Sequence, residues 1–233
     1  MDRANNNGFI EDLSGFGPFR ELNGGIGLDL VRDQCNNETG ATSFSQEDNS
    51  SFDTSRGGIP FNTREMTLSL WFAKTTENIT NEQEGIIAKG FEPNNLLFAL
   101  YLSQATNPFD INLTLANQTE NPETFTITKT LEKNRFYHFL ASISSEGIQL
   151  YIDGILNASF PFGGLNPNDP FNLTMGRYFS PIKVFNGIID EVRIYNQPLS
   201  EAEIETLFQL GCTPWKENET IGLCRGDIYD RNG

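Results

Sequence analysis

From residue 65 onward the chain alternates. In Glu65-Met-Thr-Leu-Ser-Leu-Trp-Phe-Ala73, Met66, Leu68, Leu70 and Phe72 fall on one face, and Thr67, Ser69 and Trp71 on the other. A period of two predicts a half-buried strand. Further strands are predicted at 85–88, 95–103, 110–116, 123–130, 135–143, 147–152, 155–160, 171–176 and 185–195. Asp153-Gly154 separates two alternating runs and predicts a hairpin, because a type I′ turn needs positive φ at both central residues. Short strands with turn signals about every 8–12 residues predict a sandwich or barrel. Helical spacing occurs convincingly once. Ser200 is an N-cap, Glu203 completes a capping box, and Ile204, Leu207 and Phe208 form an apolar stripe. Gly211 then fits a C′ position in the left-handed region. This helix is expected to pack across one edge of the sandwich. Residues 5–57, rich in Asn, Gly, Ser and Asp, carry few strand signals, and no repeat of 20–50 residues is evident.

The 233 residues suffice for one large sandwich, with 19 Phe and 6 Tyr to fill it. The charge of −15, from 31 acidic and 16 basic residues, argues against nucleic acid and anionic membranes as partners, since phosphates are bound mainly by Lys and Arg. It is compatible with Ca²⁺, which takes hard oxygen ligands, but the weightier reading is an ordinary acidic secreted protein. No apolar run of some 18 residues exists, so no membrane insertion is expected. The first residues, Met1 to Asn7, lack the apolar core of an export signal, which is expected to lie outside this sequence.

Three cysteines are present. Cys212 and Cys224 flank a short Gly- and Pro-bearing segment that a local disulfide would close, as in an oxidising compartment. Cys35 is then left over or pairs with a tail cysteine instead. Glycosylation sequons start at Asn37, Asn49, Asn78, Asn112, Asn117, Asn157, Asn172 and Asn218. Roughly three or four would arise by chance. The excess favours a eukaryotic secretory route, although an Asn- and Thr-rich bacterial surface protein has the same signature.

Asn186 to Gly211, a strand followed by a Pro-marked turn and a short helix, resembles the closing strand and terminal helix of a laminin-G-like, concanavalin A-like jelly roll. Asn6 to Gly17 resembles the opening loop of that family, and Thr42 to Phe52 its next polar stretch. Met66 to Phe72 is similar to its first long strand, and Tyr137 to Gly154 to its central hairpin. The apolar strand that usually precedes the opening loop is not in the sequence. The resemblance implies an all-β, two-sheet antiparallel jelly roll over residues 5–211, with one short C-terminal helix. Residues 212–233 read as a tail or the start of a following module. It further implies carbohydrate or protein recognition, often with Ca²⁺, within a larger secreted or surface protein.

Enzymatic chemistry is not expected. The Glu-x-Asp-x-(x)-Glu strand of related retaining glycosidases is absent, and adjacent Asp190 and Glu191 point to opposite faces. The sole histidine, His138, lies in an alternating strand and reads as structural, so neither a zinc site nor a Ser-His-Asp triad is expected. Asp190 falls by parity with Ile188, Val192 and Ile194. A carboxylate on an apolar face is either hydrogen-bonded, paired with an arginine, or metal-bound. By the resemblance, the opening loop lies near this strand, so Asp12 and Asp190 are the leading Ca²⁺ ligands, with Glu47 and Asp48 next. Trp71, Tyr101 and Tyr178 are candidate sugar platforms, weighed against ordinary packing. Arg225-Gly-Asp227 matches an integrin-type tripeptide, a signal short enough to be coincidence. The expected function is therefore a non-catalytic extracellular adhesion domain binding glycan or an extracellular protein. A spacer or oligomerising module without a ligand is the alternative, and a glycoside hydrolase the minority one.

Overall fold

A computed structural model describes residues 9–10, 19–21, 30–35, 40–54, 63–79, 82–91, 95–117, 122–166, 173–178, 183–209 and 211. These form β1 (Phe9–Ile10), β2 (Phe19–Glu21), β3 (Leu30–Val31), β4 (Ala41–Phe44), β5 (Phe52–Thr54), β6 (Met66–Lys74), β7 (Gln83–Phe91) and β8 (Asn95–Ser103). They continue as β9 (Phe109–Ala116), β10 (Pro122–Lys129), β11 (Phe136–Ser144), β12 (Gly147–Ile152), β13 (Ile155–Phe160), β14 (Leu173–Met175), β15 (Gly187–Tyr195) and α1 (Glu201–Gln209). Two sheets result, ordered β1-β2-β5-β14-β7-β8-β9-β10 and β13-β12-β11-β6-β15-β4-β3, with every strand pair antiparallel. The expected two-sheet jelly roll with one short helix is what the chain forms. No helix among the described residues is long and apolar enough to cross a membrane.

Alternation builds the interior. Leu68, Leu70 and Phe72 of β6, Phe139 and Ala141 of β11, Phe98 and Leu100 of β8, and Ile111 and Leu113 of β9 all belong to one buried cluster between the sheets. Side chains of two inner faces interdigitate in this way in face-to-face sandwiches. The Asp153-Gly154 turn has φ of 52° and 73°, as a type I′ hairpin requires.

Three expectations need correcting. First, β6 is not half-buried: Thr67 and Ser69 on its polar face are also sealed, at 0% and 1% exposure. The Thr67 hydroxyl donates to Gln197 O at 2.9 Å and accepts from Leu199 N at 3.0 Å, so the segment leading into α1 covers it. Second, residues 5–57 contribute β1 to β5, strands of two to four residues too short to show a period. Third, the capping box forms, with Ser200 N donating to Glu203 Oε2 at 2.8 Å, but Gly211 does not lie in the left-handed region. Glycine is required there for another reason. A Cβ would lie 2.6 Å from Trp71 Cζ2.

Sequence periodicity gave no hint of the ion pair between the sheets. Lys74, at the end of β6, places Nζ 3.0 and 2.9 Å from the two Glu84 oxygens on β7, both side chains 1% exposed. Glu84 also accepts from Asn186 N and Nδ2, and Lys74 also donates to Thr76 Oγ1. Burial pushes the ammonium below its usual range, and the Glu84 carboxylate opposes that shift. Breaking a buried pair strands a charge, whereas replacing both partners removes two desolvation penalties. Glu84→Gln or Lys74→Met should therefore each lower unfolding free energy by about 3 kcal/mol or more, and Lys74→Met with Glu84→Leu by far less. Urea titration of the three variants measures this.

Candidate functional site

The outer face of the eight-stranded sheet divides into an aromatic patch and a polar ladder. Tyr101 of β8 and Tyr178, just after β14, stack with centroids 4.8 Å apart and planes 4° from parallel. They pack with Ala88, Leu96 and Ala99 and are 8% and 3% exposed. The structure thus brings together two of the three candidate platforms, but each ring occupies the other's face.

Beside them, register places Thr114 against Thr124, Asn112 against Thr126 and Asp110 against Thr128. Each rung is bonded across the strands: Thr114 to Thr124 at 2.8 Å, Thr126 Oγ1 to Asn112 Oδ1 at 2.8 Å, and Thr128 Oγ1 to Asp110 Oδ1 at 2.6 Å. Ser103 accepts from Asn112 Nδ2 at 2.8 Å, and Gln104 Nε2 donates to Asp110 Oδ2 at 2.8 Å. Thr124, Thr126 and Thr128 are exposed. The period-two pattern of β9 and β10 carried this signal, as a run of polar residues on one parity of two adjacent strands.

Trp71 lies on the other sheet. Its ring stacks on Phe208 of α1 at 5.6 Å and contacts His138 at 5.0 Å. Ser69 Oγ and His138 Nε2 are 2.8 Å apart, the spacing of a nucleophile and its base. Both side chains are 1% exposed, and His138 Nδ1 is buried without a hydrogen-bond partner among the described residues. Burial, with a smaller push from Arg193, lowers the imidazole to about 3 and keeps it neutral. Among the described residues the pair therefore has no orienting acid, and it sits beneath α1 as part of the packing.

Asp190 is 2% exposed and lies opposite Trp71 on the outer face. Its sequence parity misleads, because β15 carries a register shift between Asp190 and Arg193. Such a bulge adds one residue and changes which positions face inward. Ile189 and Ile194 therefore both enter the core, and Asp190 does not share a face with Ile194. Glu191 adopts φ 47° at the bulge and pairs with Arg193. Asp190 Oδ1 accepts from Glu191 N at 2.7 Å, while Oδ2 is buried without a hydrogen-bond partner among the described residues. Burial, then the Glu191 and Asp33 charges, raise this carboxyl to about 8.

An orphaned buried carboxylate oxygen with a second carboxylate near it suits a hard cation. Asp33, which the sequence did not reveal, adds the weakest of the pushes on Asp190. It follows β3, which reaches β15 through β4, and its Oδ1 accepts from Cys35 N at 2.8 Å. Among the described residues no group of three or more His, Cys, Asp or Glu could hold a metal. Asp12 lies outside the described residues. Glu47 and Asp48 are exposed in the turn after β4, where Gln46 N donates to Asn186 Oδ1 at 3.0 Å. Asp190 lies three residues along β15 from Gly187, about 10 Å the other way, so the register does not bring those two carboxylates to it.

Cys212, Cys224 and Arg225 to Asp227 lie outside the described residues, as do the sequons at Asn37, Asn172 and Asn218. Asn78 and Asn157 are exposed, Asn49 and Asn117 are half-buried, and Asn112 is 6% exposed.

A family model described as the concanavalin A-like lectin/glucanases superfamily matches residues 45–205. No curated protein matches the sequence. Among solved structures the chain is similar to a native heptameric SAP-like pentraxin from Limulus polyphemus, with TM-score 0.54 and 12% identity over 68% of this chain and 75% of that one. It is also similar to the botulinum neurotoxin serotype G binding domain, with TM-score 0.61 and 13% identity over 85% of this chain and 47% of that one. The serotype D binding domain gives TM-score 0.61 and 14% identity over 84% and 48%. The chain spans about half the length of these toxin domains, and at such identities the likeness is one of fold.

The two shifted groups predict a pH signature. Asp190, raised from 3.8 to about 8, contributes stability that is complete below its unfolded value and is lost as pH rises to 8. His138, lowered from 6.5 to about 3, contributes stability that is complete above 6.5 and is lost as pH falls toward 3. The two oppose each other below 6.5, so only Asp190 acts between 6.5 and 8. In chelator-stripped protein the melting temperature should fall across that window, and Asp190→Asn should flatten it. A second measurement concerns glycosylation. In a glycosylating host, peptide mass spectrometry should find glycan on Asn78 and Asn157 but not on Asn112, whose amide nitrogen donates to Ser103 Oγ.

Proposed function

This chain belongs to the concanavalin A-like lectin/glucanases superfamily, and from that premise we propose that it is a non-catalytic recognition domain acting outside the cell. It binds carbohydrate or a protein partner as one module of a larger secreted or surface protein. The observation that carries this reading is the ladder of β9 and β10. Its threonine hydroxyls are held by cross-strand bonds yet keep spare donor or acceptor capacity, so they meet a hydroxylated ligand already ordered. The neighbouring structures, a pentraxin and toxin binding domains, support a binding role rather than an enzymatic one.

Calcium is the second part of the proposal. Asp190 and Asp33 would contribute carboxylate oxygens, with Asp12 of the opening loop as a further candidate. The ion would supply the positive charge that two nearby carboxylates call for, and would tie the segment after β3 to β15.

A glycan array and a partner pull-down, each with and without EGTA, test the reading. Thr126→Val with Thr128→Val should weaken binding about tenfold, the scale of one or two lost hydrogen bonds, without changing the melting temperature much. Empty results in both assays would favour the spacer module, and hydrolysis of β-glucans would overturn the non-catalytic assignment. Millimolar Ca²⁺ should raise the melting temperature of stripped protein, because a ligand bound only by the folded state stabilises it. Asp190→Asn should abolish that rise.

A further inference from the structure

The outer face of the seven-stranded sheet changes character along its strands. Under α1 it is apolar, where Leu140, Tyr151 and Tyr195 pack against Leu199, Ile204 and Leu207. One row on, toward the β11–β12 turn, it becomes hydroxyl and amide. Thr67, Ser142, Gln149 and Ser159 are successive partners across β6, β11, β12 and β13. Beyond the reach of the helix, Ser142, Gln149 and Ser159 line a groove of about 720 Å³, together with Glu65, Glu146 and Pro198.

The groups in this row are not equally occupied. The Thr67 hydroxyl is used twice, as described above. Ser142 is 5% exposed and lines the groove; its backbone is paired in the sheet, while its hydroxyl takes part in no hydrogen bond among the described residues. Gln149 accepts at Oε1 from Tyr151 OH at 3.3 Å, which leaves its amide nitrogen for another acceptor. Glu65 is fixed by Ser145 N and Oγ, both 3.0 Å from Oε1. Among the described residues, both charged members of the lining are acidic, and no Lys, Arg or His joins them.

We propose that this groove is a subsite for an uncharged saccharide, with Ser142, Gln149 and Ser159 bonding its hydroxyls. Strand spacing sets these three about 4.8 Å apart in sequence across the sheet, so the row spans about two sugar rings. Glu65 and Glu146 select against acidic sugars, because a ligand carboxylate or sulfate would meet like charge with no countercharge. The inference rests on the reading of the domain as a saccharide binder, and adds a site and a ligand class to it.

The test is an amide NMR titration of the full, unglycosylated chain with maltotriose, cellotriose, chitotriose, mannotriose and 3′-sialyllactose. At least one neutral trisaccharide should shift Ser142, Gln149 and Ser159, and sialyllactose should shift none of them. Ser142→Val should raise the dissociation constant tenfold or more, and the exposed Ser159→Ala serves the same purpose if the buried substitution unfolds. Glu146→Lys, in the exposed turn, should admit sialyllactose. Shifts confined to Thr124, Thr126 and Thr128 would remove the groove and leave saccharide recognition standing. No shift with any neutral sugar would remove the groove too, and an array equally empty of saccharides would take the saccharide reading with it. Sialyllactose binding to the unmodified groove would overturn the charge selection.

Discussion

Strand β6 has no solvent face, and most of the architecture answers that constraint. Its inner residues, Met66, Leu68, Leu70 and Phe72, are fully buried against the other sheet. Its outer residues would leave Thr67, Ser69 and Trp71 uncovered. The chain therefore returns after β15, caps Thr67 with the 197–199 segment, and lays Phe208 over Trp71. The neighbours of β6, namely β11 and β15, are as long as β6 itself. At its far end Lys74 crosses to Glu84 and joins the sheets by charge. A polar group sealed in this way must be bonded, and the Ser69–His138 contact is one instance. What looks like catalytic geometry there follows from covering a strand on both sides.

Legibility in the sequence followed element length. Strands β8, β12 and β13 match the predicted boundaries to the residue, because each is a run of six to nine residues closed by turn or polar positions. The capping box fixed the helix start just as well, since its two side chains bond each other. Strands β1 to β5 were not visible, because two to four residues are too few to show a period. The bulge in β15 was equally hidden. One inserted residue inverted the parity argument for Asp190, which lies on the outer face and not with Ile194. Asp33 sat in an aperiodic polar stretch, and only strand order brings it near. The meeting of Tyr101 with Tyr178 likewise depends on β7 lying between β8 and β14.

The two outer faces have different tasks. On the eight-stranded sheet, polar side chains bond each other in a regular array. On the seven-stranded sheet, the same alternation supplies apolar residues where a helix covers them and serines where it does not. The composition tracks coverage row by row, so an uncovered, hydroxyl-rich row beside a covered apolar one marks a boundary set by α1.

Gly211 fits flat against Trp71 on the helical side of the molecule. The last described residue thus lies on the side of the sandwich opposite the threonine array. Helix α1 and Gly211 therefore seal one outer face in part and leave the hydroxyls of Thr124, Thr126 and Thr128 on the other open to solvent.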